Sequence, residues 1–173
     1  MTDEQGRPLP PYAGTEVDIA VGFLEFLRAT VAWKTDGLDH AQLAQVHPPS
    51  SMTLGGLLKH LAFVEDWWLV HKFLGEPQQE PWASVDWRAS PDWDWDTAVD
   101  HEPDELRALW RESVERSRAI AAGTDLDTLA ASALRNGEQV SLRWIVLHLI
   151  EEYARHAGHA DLIRESIDGL TGE

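Results

Sequence analysis

SLRWIVLHLIEEYARHAGHADLIRESIDG, residues 141–169, decides the kind of fold this chain adopts. Taken in steps of three and four, Ile145, Leu149, Glu152, His156, His159 and Ile163 fall on one side of a helix. His148, four residues before Glu152, joins the same side. A line that starts and ends apolar faces a protein interior, so the carboxylate and imidazoles inside it need partners; an unpaired buried charge is costly. Ser141 can open this helix, and Gly169 can close it after about Asp168.

Three more amphipathic helices are expected upstream. The first runs from about Thr15 to Trp33: Thr15 and Asp18 form a capping-box pattern, and Val17, Val21, Leu24, Leu27 or Arg28, and Val31 recur near a 3.6-residue period. The second is expected from Ser51 to Leu74, stopped by Gly75. Leu57, His60, Val64 and Trp67 make one line on it, and Leu54, Leu58, Leu61 and Trp68 a parallel one, so His60 lies inside an apolar face. The third spans about Pro103 to Ala122, with Pro103 in the first turn, Asp104 and Glu105 at the positive end, and a stripe of Leu106, Leu109, Trp110, Val114 and Ile120. Residues 34–50 carry Gly37, the stop Pro48-Pro49 and room for a helical turn at 40–46. Residues 123–140 form a loop with a turn at Asn136-Gly137. Four such helices without a strong strand pattern predict an all-α chain built as a four-helix bundle. Residues 1–14, with three prolines and two glycines, form a flexible extended N-terminal arm, and 15–173 one domain.

The connection between the second and third helices, residues 75–102, is far longer than most helix–helix links. It holds Trp82, Trp87, Trp93 and Trp95 among eight acidic residues and a single base, Arg88. A solvated polar loop has no use for four indoles. They either fasten a crossover to the bundle side or wall a pocket, and their spacing decides neither.

Composition narrows the function. Thirty acidic against 14 basic residues give 173 residues a net charge of −16, which disfavours nucleic acid and anionic membranes as partners. No apolar run reaches the roughly 18 residues of a membrane span, and no secretory leader pattern opens the chain. There is no cysteine. Disulfides, thiolate metal sites and a cysteine nucleophile are thereby excluded, and a reducing cytoplasmic setting fits. Any thiol chemistry must borrow its sulfur from a second molecule.

The candidate chemistry is a metal site. Glu152 and His156, four apart, can chelate one ion from a single helix, and His60 can complete the set from a facing helix. Two imidazoles and a carboxylate suit Zn²⁺, and also Ni²⁺, Fe²⁺ or Mn²⁺; three protein ligands leave an open coordination position, as catalytic sites do. The pair alone is unspecific. Glu152 could instead pair with Arg155, leaving the histidines at bundle ends. His148 and His159 flank the pair by one turn, where they could orient ligands or shuttle protons. Arg155 is expected in an ion pair with Glu151 or Asp161, Tyr153 on another face, Trp67 and Trp68 in the core, and His40, His47, His71 and His101 at the surface or internally satisfied.

The segments MTLGGLLKHLAFVEDWW (52–68), GFLEFLRATVAWKTDGL (22–38) and the 141–169 stretch with its RHAGHAD string (155–161) resemble the DinB-like (DinB/YfiT-type) metalloprotein superfamily, in particular its mainly actinobacterial branch of uncharacterised members. The likeness covers about residues 15–169. It implies a four-helix bundle with an unusual crossover, often dimeric. Many members hold their metal by three histidines, one on the second helix and two, four apart, on the last. Here the outer positions are His60 and His156, and Glu152 stands at the middle one. That departure is similar to the His, Glu, His zinc set of mycothiol-dependent maleylpyruvate isomerases. Their substrate does not carry over, because they have a further C-terminal domain that this chain lacks. Relatives consisting of the bundle alone include S-transferases using mycothiol or bacillithiol. The resemblance therefore implies a metal-dependent transferase that places a mycothiol-like thiol on a small electrophile, the metal activating the thiolate. The alternatives are a non-catalytic metal-binding or stress-response protein, and a metallohydrolase.

Overall fold

The computed structural model describes residues 1–172; among them the chain is helical and forms no strand, as the apolar periodicity predicts. Helix α1 (Glu16–Thr35) opens on the expected capping box: Thr15 Oγ1 accepts from the Asp18 amide at 3.2 Å, and Asp18 accepts from the Thr15 amide at 3.0 Å. A short α2 (His40–Leu43) fills the turn anticipated at 40–46. Helix α3 (Leu54–Glu65) is capped by Thr53, whose hydroxyl accepts from the Gly56 amide at 2.9 Å. It is shorter than the sequence pattern promised. From Asp66 to Phe73 the chain widens into a π-helix, closed by the Leu74 amide donating to the Leu69 carbonyl, five residues back, at 3.1 Å.

After α4 (Trp93–Asp96) comes α5 (Pro103–Ala121), with Pro103 in its first turn and the Glu102 amide donating to Glu105 at 2.9 Å. Helix α6 (Leu142–Asp168) starts at Ser141, whose hydroxyl accepts from the Trp144 amide, and ends at Gly169 with φ 78°, a left-handed conformation that glycine adopts without steric cost. Leu57, Leu58, Leu61, Leu106, Val114, Ile145, Leu149 and Ile163 are among the side chains that make the common core of these helices.

One polar network ties the four long helices together. Arg28 of α1 donates to both oxygens of Glu65 of α3, at 2.8 and 2.7 Å; Tyr153 of α6 donates to the same carboxylate at 2.8 Å; and Trp110 of α5 donates its indole N–H to the Tyr153 hydroxyl at 2.8 Å. Arg28, Glu65 and Tyr153 are all buried. Fully partnered groups of this kind avoid the desolvation cost of isolated ones. Tyr153, which its spacing assigned to another face, is thus a central core residue. The next acid, Asp66, accepts from Trp82 at 3.0 Å, Ser113 at 2.8 Å and Arg116 at 3.0 and 2.8 Å. Two consecutive buried acids with separate partners stand where α3 becomes π-helical.

The N-terminal residues, expected as a flexible arm, make defined contacts with α1. They fold into a small turn, with the Leu9 amide donating to the Met1 carbonyl at 3.0 Å, and lean on α1. Arg7 is buried: it pairs with Asp3 at 2.7 Å, donates to Thr30 at 3.0 Å, and lies 4.6 and 4.9 Å from the Phe26 and Trp33 ring centres. A guanidinium fixed between a carboxylate and two aromatic faces holds a segment that proline content alone marks as loose. Residues 123–140 dock on the end of the π-helix, where the Ala131 and Ser132 amides donate to the Phe73 and Lys72 carbonyls at 2.9 and 3.1 Å. These bonds satisfy carbonyls that a helix end leaves without partners. No helix of the described residues is long and apolar enough to cross a membrane.

Candidate metal centre

His60 reaches the site from the last turns of α3, and Glu152 and His156 from successive turns of α6. One donor atom from each of the three lies within 4.8 Å of the other two. The His60 and His156 rings meet edge-on at 5.0 Å between centres. His156 Nε2 stands 3.6 Å from Glu152 Oε2, beyond ordinary hydrogen-bond length. Two ligands each about 2.1 Å from a tetrahedral ion are separated by about 3.4 Å, so the spacing suits donors that share a cation. Glu152 is half-buried and His156 buried. The His156 imidazole holds the Glu152 carboxyl below its ordinary value against the opposing effect of burial, and His148 and His60 add to the lowering. The acid therefore stays ionised, as a ligand must be.

The Trp-rich connection supplies two groups that the sequence did not assign. Asp94 of α4, itself buried, accepts from His60 Nδ1 at 2.7 Å. That bond fixes the ring and its tautomer and leaves Nε2 with a free lone pair. Trp95 stacks on His60 with ring centres 4.6 Å apart and planes 25° from parallel, and lies 5.5 Å from His156. The indole can approach because residue 56 is glycine: a Cβ there would stand 2.8 Å from Trp95 Cε3. The alternation DWDWD (92–96) was the available signal, since in a four-residue helix the acids and indoles take different directions: Asp94 is buried, Asp92 and Asp96 are exposed, and Trp93 and Trp95 both pack against the core.

The other indoles of 75–102 serve packing. Trp82 is fully buried and bonded to Asp66, Trp87 stacks on Phe63 at 4.4 Å, and Trp93 covers the Lys59 ammonium at 3.9 Å. Lys59 is buried and donates to Thr97 Oγ1 at 2.6 Å, with His101 Nε2 at 2.9 Å. Burial pushes its pKa down to about 8.

His148 lies one turn before Glu152, with Nε2 3.4 Å from Glu152 Oε1, and is framed by Trp144, stacked at 5.0 Å, and Trp68, edge-on at 4.9 Å. His159 faces His156, Nδ1 to Nδ1 at 3.4 Å; burial, with the neighbouring His156, lowers its pKa. Arg155 pairs with Glu151 and does not engage Glu152, so the competing pairing considered for the acid is not made. His40 bonds to the Val99 carbonyl at 2.8 Å and His71 to the Glu76 carbonyl at 2.9 Å, both satisfied locally.

The arrangement can hold a divalent cation by two imidazoles and a carboxylate, orient one imidazole through a buried acid, and shield it with an indole. Two partly exposed imidazoles stand within one turn for proton traffic. A protein-family model described as mycothiol-S-transferase matches residues 20–169, a span containing all of these groups. No curated protein matches the chain.

Proposed function

The chain belongs to the mycothiol-S-transferase family, and from that premise we propose that it transfers a mycothiol-like thiol to a small electrophile with a divalent cation, Zn²⁺ by preference and Ni²⁺, Fe²⁺ or Mn²⁺ as alternatives, held by His60, Glu152 and His156. The observation that carries this reading is the convergence of those three donors beside the buried acid Asp94. A cation bound there supplies a Lewis acid that makes a coordinating thiol a thiolate at neutral pH. The chain's own residues do the remainder. Asp94 keeps the His60 ring in one orientation, Glu152 contributes negative charge without needing to lose a proton at neutral pH, and Trp95 keeps water from one side of the imidazole. His148 and His159 are placed to accept the thiol proton and pass it to solvent. The absence of cysteine fits an enzyme whose sulfur arrives with a cofactor.

Around this centre the four long helices are read as a single-domain, DinB-type four-helix bundle with 75–102 as its crossover. Phe23 and Leu147, exposed in one apolar groove with Ile19 and Ile150, offer a face for a homodimer. A cytoplasmic setting agrees with the thiol partner.

The test is conjugation of mycothiol to monobromobimane and to 1-chloro-2,4-dinitrobenzene by zinc-loaded protein. His60→Ala and Glu152→Gln proteins, folded by circular dichroism, should lose at least about 100-fold in rate. Full activity in both, or turnover of esters without any thiol, would contradict the transferase reading.

A further inference from the structure

Helices α1 and α5 both line a hollow of about 720 Å³, a volume within the usual range for small-molecule sites. None of His60, Glu152 and His156 lines it. Val21 and Leu24 of α1, Leu69 of the π-helix, and Val146 and Leu149 of α6 give it an apolar surface, and Pro11 and Ala13 contribute to its wall. Pro11 can stand there because residue 22 is glycine: a Cβ at that position would lie 2.5 Å from Pro11 Cδ.

Two features select what the hollow can hold. The first is Ser117 of α5, a lining residue that is 2% exposed and whose hydroxyl has no hydrogen-bond partner. Comparable hydroxyls on these helices are used. Ser113, one turn earlier, donates to Asp66 at 2.8 Å, and Thr30, Thr35 and Thr124 donate to the carbonyls four residues back. An orphaned hydroxyl in an apolar setting carries a desolvation cost that an entering polar group relieves. At that burial only a molecule inside the hollow reaches it, whereas a second copy of the chain laid across the mouth does not. The second feature is charge. Asp18 and Glu25 balance Arg28 and Arg118 in the lining, and each is already committed. Asp18 serves the Thr15 cap, Glu25 takes both guanidiniums, Arg28 also holds Glu65, and Arg118 also holds Glu115. An ionic ligand would give up its hydration and find no free counter-charge.

We infer that this hollow is a second ligand site, taking an uncharged, largely apolar small molecule whose one carbonyl or hydroxyl oxygen pairs with the Ser117 hydroxyl. The inference goes beyond the transferase reading and does not depend on it, because the lining excludes the triad and the test reads binding rather than turnover.

Prodan, an uncharged naphthyl ketone whose emission moves to the blue in apolar surroundings, should bind the wild-type protein saturably. Ala121→Trp, at a half-buried lining position, should fill the hollow and abolish that binding in a protein that keeps its circular dichroism spectrum. Competitors of one shape then separate the two features: 2-acetylnaphthalene, 2-ethylnaphthalene and 2-naphthoate. In Ser117→Ala, which removes only an unpartnered hydroxyl, the advantage of the acetyl over the ethyl compound in displacing prodan should fall about fivefold, the effect of one neutral hydrogen bond. In the wild type the carboxylate should compete at least about tenfold less well than the ketone. The inference is overturned by an absence of saturable binding to the wild type, by wild-type binding strength in Ala121→Trp, by an acetyl-to-ethyl ratio that Ser117→Ala leaves unmoved, or by a carboxylate that competes as well as the ketone.

Discussion

Replacing Asp94 by Asn isolates what the 75–102 connection contributes to the centre. The two side chains are nearly the same size, Asp94 is buried, and its carboxylate accepts a hydrogen bond from His60 Nδ1 at 2.7 Å. An amide oxygen can still accept that proton, so the ring keeps its place. What is lost is the negative charge that makes the imidazole a better donor to a cation, together with the certainty of orientation, since a rotated amide would present its NH₂ to Nδ1. Loss of such an outer partner costs about 10–100-fold in metal affinity, which is roughly 1.4–2.8 kcal/mol. Competition against a chromophoric zinc chelator at fixed pH and salt reads this directly, with far-ultraviolet circular dichroism checking the helices. The reasoning is refuted if Asp94→Asn binds zinc within about twofold of wild type, because a residue acting through His60 in the manner described cannot be that silent.

Three further expectations follow from the same geometry. Gly56→Ala puts a methyl group 2.8 Å from Trp95 Cε3, so the indole must leave His60; we expect a changed near-ultraviolet circular dichroism spectrum and a stability loss of about 1–3 kcal/mol in urea, and an unchanged spectrum would show the contact to be unimportant. Arg28→Met removes the guanidinium that answers the buried Glu65, at a cost of about 3–5 kcal/mol, whereas Tyr153→Phe, which leaves Arg28 in place and strands the Trp110 N–H, should cost about 1–3 kcal/mol; equal losses would deny that the ion pair is the centre of the network. Lys59 has its folded pKa lowered to about 8, below the unfolded value near 10.4. Between those values the unfolded chain binds the extra proton, so the stability of the wild type relative to Lys59→Met should rise as pH increases from about 8 toward 10, and a flat difference curve would contradict the assignment.

Helix positions were legible because their signals are local. Thr15 with Asp18, Pro103 in a first turn, Ser141 and Gly169 act within a few residues of themselves, and each does in the structure what its chemistry predicts. The line His148, Glu152, His156 was likewise legible, since four-residue spacing places side chains on one face whatever surrounds the helix. What was not legible depends on groups distant in sequence. Arg28 and Glu65 are 37 residues apart and Tyr153 is 88 beyond Glu65, so neither periodicity nor capping brings them together. The consecutive acids Glu65 and Asp66 inside an apolar helix were the visible trace, because each had to find a partner or remain uncharged. Asp94 and Trp95 were hidden for a different reason. In a segment with four indoles and eight acids, composition does not tell which turn inward; the missing Cβ at Gly56 and the open Nδ1 of His60 select them. Arg7 shows the same limit at the N-terminus, where its partners Thr30, Phe26 and Trp33 lie far along the chain and local composition does not reveal them.

The most direct test of the centre is the metal content of untagged protein. Wild-type chain equilibrated with zinc and then freed of excess should retain about one ion per chain, and His60→Ala, Glu152→Ala and His156→Ala proteins that remain folded should each retain far less. A wild-type chain that emerges without metal, or three variants that keep as much of it as the wild type, would contradict the account at its centre.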